Sequence, residues 1–225
     1  MLERNIDAYT IKEQLALHKA KAIVLGCGGG GCIMSETLCR TGVGNITIVD
    51  FDVFEDSNKN RQLGALDSTI GKPKVDVIAA RLKDINPCCN ITVIQDKIGI
   101  HNYKELLKDK DIILDAVDKA CNKYMVGDFI KELGLTYTTG GLGTYHFWCA
   151  TLKNESVKNI ISEDNDEEPT NYPCASSVFI QGALQAQQAI NSYLEREQKC
   201  LDKVIKTNIL TLAMSVEEIQ KGKGK

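Results

Sequence analysis

No window of the chain gathers Lys and Arg into a run, and the 225 residues carry a formal net charge of −3. The counterion release that drives nucleic-acid binding therefore has no footprint in the sequence. The tail KGKGK is the one basic cluster and reads as a frayed, solvated terminus. Also missing is any stretch of about 18 apolar residues, the length a membrane-spanning helix needs. The first residues, MLERNIDAYTIKEQ, hold no apolar signal core. These absences predict a cytoplasmic protein with no membrane partner.

The nine cysteines are odd in number and form no C-x-x-C pair. Without a secretory signal they are expected to be reduced thiols rather than a disulfide framework. The two close ligand pairs of a structural zinc are absent too, so no zinc is expected. Cys39, on a helical stretch, and Cys149, in an apolar run beside Trp148, read as small core residues. There is no internal repeat.

What is present alternates. Short β-rich runs at 21–26 (KAIVLG), 45–50 (NITIVD), 90–95 (NITVIQ), 111–116 (DIILDA) and 135–140 (LTYTTG) are separated by helical patterns near 30–41, 72–85, 102–108 and 119–132. This order predicts an α/β fold, Rossmann-like, with a mainly parallel twisted sheet and helices on both faces. Its ligands bind beyond the carboxyl ends of the strands. Residues 1–19 read as an N-terminal helix or arm. The acidic stretch 153–173 reads as a mobile surface loop crossing over to a long helix, SVFIQGALQAQQAINSYLERE, and a last strand, TNILTLAMSV. One domain over 1–225 is expected at this length.

A glycine turn lies between the first strand and the first helix of this alternation. Gly26, Gly28, Gly29 and Gly31 leave a strand and open a helix, an arrangement that turns backbone amides and the positive helix end toward a phosphate. Asp50, closing the second strand, suits a ribose hydroxyl. Alone, this pattern fits a nicotinamide dinucleotide equally well. The continuation DFDVFEDSNKNRQLGALDSTIGKPKV separates the two, because it adds Asp52, Asn58, Arg61, Gln62 and Lys74. A nicotinamide site gains nothing from that polar row, whereas the cations Arg61 and Lys74 neutralise the β and γ oxygens of a triphosphate. Asn58 can donate to a phosphate or to an attacking carboxylate. Asp118, in LDAVDK past the fourth strand, offers the hard oxygen that a phosphate-bridging Mg²⁺ takes. Singly, Asp52 and Asp118 also read as helix caps and Arg61 as half of a surface pair. Their joint occurrence in register is what a cap or a pair leaves unexplained.

The ordered motifs GCGGGG, VDFDVFEDSNKNRQ, IGKPKV, INP and LDAVD resemble the ThiF/MoeB/HesA superfamily, relatives of the ubiquitin-activating enzymes, over roughly residues 20–145. The resemblance implies adenylation of a carboxylate with ATP·Mg²⁺, commonly the C-terminal glycine of a small ubiquitin-like sulfur-carrier protein. By it, Gly29 and Asp50 contact the adenosine half, with Asp50 on the ribose. Asn58, Arg61 and Lys74 contact the phosphates, and Asp118 binds Mg²⁺. A homodimer is expected on the same ground. A cysteine placed like Cys174 can take the acyl group or form a persulfide link in such proteins, and here it precedes a helix whose N-terminus favours a thiolate. The chain departs from the family in lacking the zinc C-x-x-C pairs, in having Lys119 where Asn is common, and in offering only Arg4 as the N-terminal arginine that relatives lend to a partner's site. His18, His101 and His146 are scattered and read as structural or exposed. Three further readings compete: a tRNA threonylcarbamoyladenosine dehydratase, a non-catalytic nucleotide-binding partner protein and a nicotinamide enzyme. The first uses the same adenylation, and the net charge weighs against its tRNA.

Overall fold

The computed structural model describes residues 2–161, 173–196 and 198–220. Its centre is one eight-stranded sheet of order β3-β2-β1-β4-β5-β6-β7-β8. The strands are β1 (Lys21–Leu25), β2 (Asn45–Val49), β3 (Asn90–Ile94), β4 (Ile112–Asp115), β5 (Tyr137–Leu142), β6 (His146–Leu152), β7 (Lys203–Asn208) and β8 (Ala213–Glu218). β3, β2, β1, β4 and β5 pair in parallel. β5 through β8 pair antiparallel. The helices are α1 (Ile11–Lys19), α2 (Gly29–Thr41), α3 (Lys74–Ile85), α4 (Tyr103–Leu107), α5 (Ala120–Glu132) and α6 (Ala175–Tyr193).

The parallel half follows from strands that are apolar on both faces. Side chains alternate across a sheet, and β1 sends Ala22 and Val24 into one core and Ile23 and Leu25 into the other. β4 divides Ile112 and Leu114 from Ile113 in the same way. α1, α2, α3 and α6 contribute to the first core, α4 and α5 to the second. Each fully buried Leu or Ile on these faces contributes roughly 1.5–3 kcal/mol.

Helix ends follow their residues. Thr10 opens α1 with a reciprocal Thr10–Glu13 capping box. α2 stops at Gly42, whose φ of 100° lets its N–H reach back to the carbonyls of Leu38 and Cys39. α6 buries a face of small and polar residues, Ser177, Gln181, Gly182, Gln185 and Ala186 among them. It lies so close to α2 that a Cβ on Gly182 would stand 2.9 Å from Ile33 Cβ and 3.0 Å from the Gly30 carbonyl oxygen.

Two expectations are corrected. The run HFWCATL, read only as an apolar stretch, is the full strand β6. The expected single strand TNILTLAMSV is instead the middle of the β7–β8 hairpin, which reverses between Asn208 and Ala213. Of the stretch 153–173, residues 153–155 are held by the Asp202 carboxylate, which accepts the backbone N–H groups of Lys153 (2.8 Å) and Asn154 (3.0 Å). Tyr124 donates to the carbonyl of Ile161 (2.8 Å). Residues 162–172 lie outside the described residues.

Candidate functional site

Strand order reverses between β1 and β4, since the chain runs outward from β1 to β3 and returns to start β4. Parallel sheets open a crevice at the carboxyl ends of such a pair. The glycine turn follows β1 and the loop with Asp118 follows β4, so both border it.

Close approach fixes the turn. Gly26 sits at φ 102°, and a Cβ there would stand 2.8 Å from the carbonyl oxygen of Ala116 in the loop after β4. A Cβ on Gly31 would collide with the Gly26 carbonyl. Gly28 is the N-cap of α2 and supplies no capping side chain, which leaves the first amides of the helix for a ligand. Gln62 Nε2 lies 3.8 Å from where a Gly28 Cβ would stand, and the Arg61 carbonyl oxygen 3.3 Å from that of Gly29.

Asp50 ties the turn to β2. One carboxylate oxygen accepts the Cys27 N–H at 2.6 Å and the other the Asp52 N–H at 2.8 Å. Each oxygen keeps a second lone pair for a hydroxyl. Asp52 faces the ammonium of Lys74 at 3.4 Å, with the lysine side chain 8% exposed and the aspartate 47%. Asn58 is buried and accepts the Glu55 N–H at 3.1 Å, while its amide nitrogen lies 3.3 Å from Ser57 Oγ. The Arg61 guanidinium donates to the Ser57 carbonyl (3.1 Å) and to Asn60 Oδ1 (2.7 Å), and among the described residues no carboxylate pairs with it. Gln62 is buried with its Oε1 unpartnered. Asp118 and Lys119 are exposed.

Cys174 is the N-cap of α6. α2 and α6 run parallel, with Val178 against Gly29 and Gly182 against Gly30, so both N-termini open on the same edge. Cys174 Sγ lies 3.2 Å from the Thr144 carbonyl, 3.2 Å from Ser176 Oγ and 3.1 Å from Ser177 Oγ. Hydrogen bonding with the Ser176 hydroxyl, then with that of Ser177, which itself donates to the Thr144 carbonyl at 2.6 Å, and with the Ser177 N–H brings this thiol down to about 7. Burial pushes Cys32 and Cys149 up to about 12.

Arg4 lies elsewhere. Its neighbour Asn5 donates to the Arg40 carbonyl (3.2 Å) at the far end of α2, about 16 Å of helix from Gly29 at 1.5 Å per residue. His101 bonds Asp96 and His146 bonds Asn208, so neither joins the site.

Four residues packed beside the candidate site were not anticipated. Asp115, at the end of β4, accepts the Val117 N–H (2.9 Å) and the Thr139 hydroxyl (2.6 Å) and pairs with Lys123 (3.4 Å). Gln185 donates to the carbonyls of Asp115 (2.7 Å) and Thr138 (2.9 Å). An acid closing an all-apolar strand was the available signal for Asp115; Lys123, Thr139 and Gln185 had none.

The chain belongs to the ThiF family, which matches residues 2–225. It is 36% identical over 137 residues to a tRNA threonylcarbamoyladenosine dehydratase of Haemophilus influenzae, covering 60% of this chain and 52% of that protein. It is 32% identical over 178 residues to the molybdopterin-synthase adenylyltransferase of Escherichia coli, covering 78% and 66%. The E. coli tRNA N6-threonylcarbamoyladenosine dehydratase, solved in complex with ATP, shares the fold with a TM-score of 0.73 at 23% identity, over 85% of this chain and 93% of that one. Matched segments span about half the length of several of the curated relatives. Among the described residues no helix is long and apolar enough to cross a membrane.

Proposed function

We propose that this chain is an ATP-dependent adenylyltransferase that activates a carboxylate, the C-terminal glycine of a small ubiquitin-like sulfur carrier. The reading rests on one observation: Gln62 and Arg61 lie beside Gly28 and Gly29 of the glycine turn, and Ala116, in the loop that leads to Asp118, lies against Gly26, all next to the strand-order reversal. Asp50 and the first α2 amides receive the ribose and phosphates. Arg61 and Lys74 neutralise the triphosphate, and Asn58 and Gln62 orient it. The attacking carboxylate is already ionised at pH 7, so an in-line displacement at the α-phosphorus needs no general base. Positioning and charge neutralisation carry the rate.

A Mg²⁺ fits Asp118, an exposed carboxylate with hard oxygens, because this ion is commonly held by one or two carboxylates together with substrate phosphates. When bound it would offset the negative charge of the phosphates. Cys174, on the same edge, attacks the carbonyl of the acyl adenylate as its thiolate, forming a thioester as AMP leaves. We read residues 1–225 as one adenylation unit of a cytoplasmic homodimer, in which Arg4, remote from its own crevice, serves the partner's.

Dehydration of threonylcarbamoyladenosine in tRNA is the second reading, favoured by relatives of that name at 36% and 42% identity. The net charge of −3 weighs against a tRNA surface. Incubation with ATP, Mg²⁺ and either a carrier ending in Gly-Gly or the modified nucleoside in tRNA separates the two by mass spectrometry. A carrier bearing AMP at its C-terminus is the expected product. Dehydrated nucleoside with an untouched carrier would overturn this choice.

A further inference from the structure

Asp115 and Lys123 form an ion pair with side-chain exposures of 0% and 6%. Two charges taken out of water gain little net stability from one another, so a pair buried this deeply is poorly explained by stability alone. Its placement supplies another explanation. Asp115 is the last residue of β4 and the first of the sequence that ends at Asp118. One carboxylate oxygen accepts the Val117 N–H, which sets the direction of the loop between them. The other takes the Thr139 hydroxyl from β5 and faces the Lys123 ammonium from α5. The backbone carbonyl of Asp115 is held by Gln185 from α6. Ala116, the next residue, packs its carbonyl against Gly26 of the glycine turn.

We propose that Lys123 is a positioning residue: through the Asp115 carboxylate it fixes the loop that presents Asp118 to a metal–nucleotide complex and braces the glycine turn beside it. This rests on the function proposed above. Lys123 acts through Asp115, orienting its carboxylate where no water reaches it. Outer partners of this kind change metal affinity or activity by about 10–100-fold when removed.

The test compares Lys123→Met and Lys123→Arg with the wild-type protein by calorimetric titration of ATP over a range of Mg²⁺ concentrations, alongside pyrophosphate exchange. Lys123→Met is expected to raise the Mg²⁺ concentration for half-maximal tightening of ATP binding about tenfold or more. ATP binding without metal should change little, and Lys123→Arg should restore most of the metal response. A Lys123→Met protein with lowered thermal stability and an unchanged metal midpoint would make the pair structural only. Should that variant not fold, Thr139→Val removes the 2.6 Å hydrogen bond on the same carboxylate and keeps the pair. It is expected to shift the metal midpoint in the same direction, and no shift would overturn the inference. A wild-type protein whose ATP binding ignores Mg²⁺ would remove the functional reading itself, and this inference with it.

Discussion

Cys174 shows how far a side chain's chemistry depends on its immediate neighbours. Its thiol and that of Cys149 belong to the same residue type, yet one is brought down to about 7 and the other is pushed up to about 12. The difference is hydrogen bonding with Ser176 and Ser177 on one side and burial on the other. Since the thiolate is the reactive form, alkylation of Cys174 by iodoacetamide should rise with pH through a midpoint near 7, half-maximal there, instead of near the ordinary 9.0. Ser176→Ala should move that midpoint upward. Peptide mapping of label uptake between pH 5 and 10 measures both, and a wild-type midpoint at the ordinary value would leave Cys174 an unactivated cysteine. Asp50, Arg61, Lys74 and Asp118 could each be singled out in the sequence by residue type and spacing, and their roles are proposals. Asp115 and Lys123 were not legible as a pair, since their partnership exists only once α5 covers the end of β4.

At the scale of elements, the contact between α2 and α6 decides where the glycine turn stands. A Cβ on Gly29 would lie 2.7 Å from Val178 Cγ1, so Gly29→Ala should cost about 1–3 kcal/mol through overpacking. Trimming Val178 to Ala in the same chain should recover part of that loss, because the obstructing methyl is gone. Denaturant unfolding of the two single variants and the double variant gives the coupling, expected at about 0.5–3 kcal/mol in magnitude for residues in contact. Strictly additive losses would mean that Gly29 is needed for another reason. The parallel strands and the turn between β1 and α2 could be read from sequence because their signals are local: continuous apolar runs, then glycine. The β7–β8 hairpin could not. Its turn is built by the Asn208 carboxamide accepting the N–H groups of Leu210 (2.9 Å) and Thr211 (3.3 Å), with Leu212 at φ 56°. Apolar residues fill that turn, so the run reads as one strand. β6 was missed for a related reason: its antiparallel partners β5 and β7 are set by pairing across the sheet, which no local pattern records.

For the whole molecule, sheet order and charge lead to one arrangement. The reversal between β1 and β4 lies where the glycine turn meets Ala116, with Gln62 and Arg61 beside Gly28 and Gly29, and Arg4 lies away from it at the other end of α2. The central claim is that this crevice transfers AMP from ATP to a carboxylate. Carrier-dependent exchange of labelled pyrophosphate into ATP tests it most directly, because the exchange requires the reversible adenylate and no later step. The account predicts Mg²⁺-dependent exchange with a carrier ending in Gly-Gly, lost when the terminal glycine is removed and not supported by NAD in place of ATP. Absence of exchange with every carboxylate acceptor, from a protein that binds NAD more tightly than ATP, would contradict it.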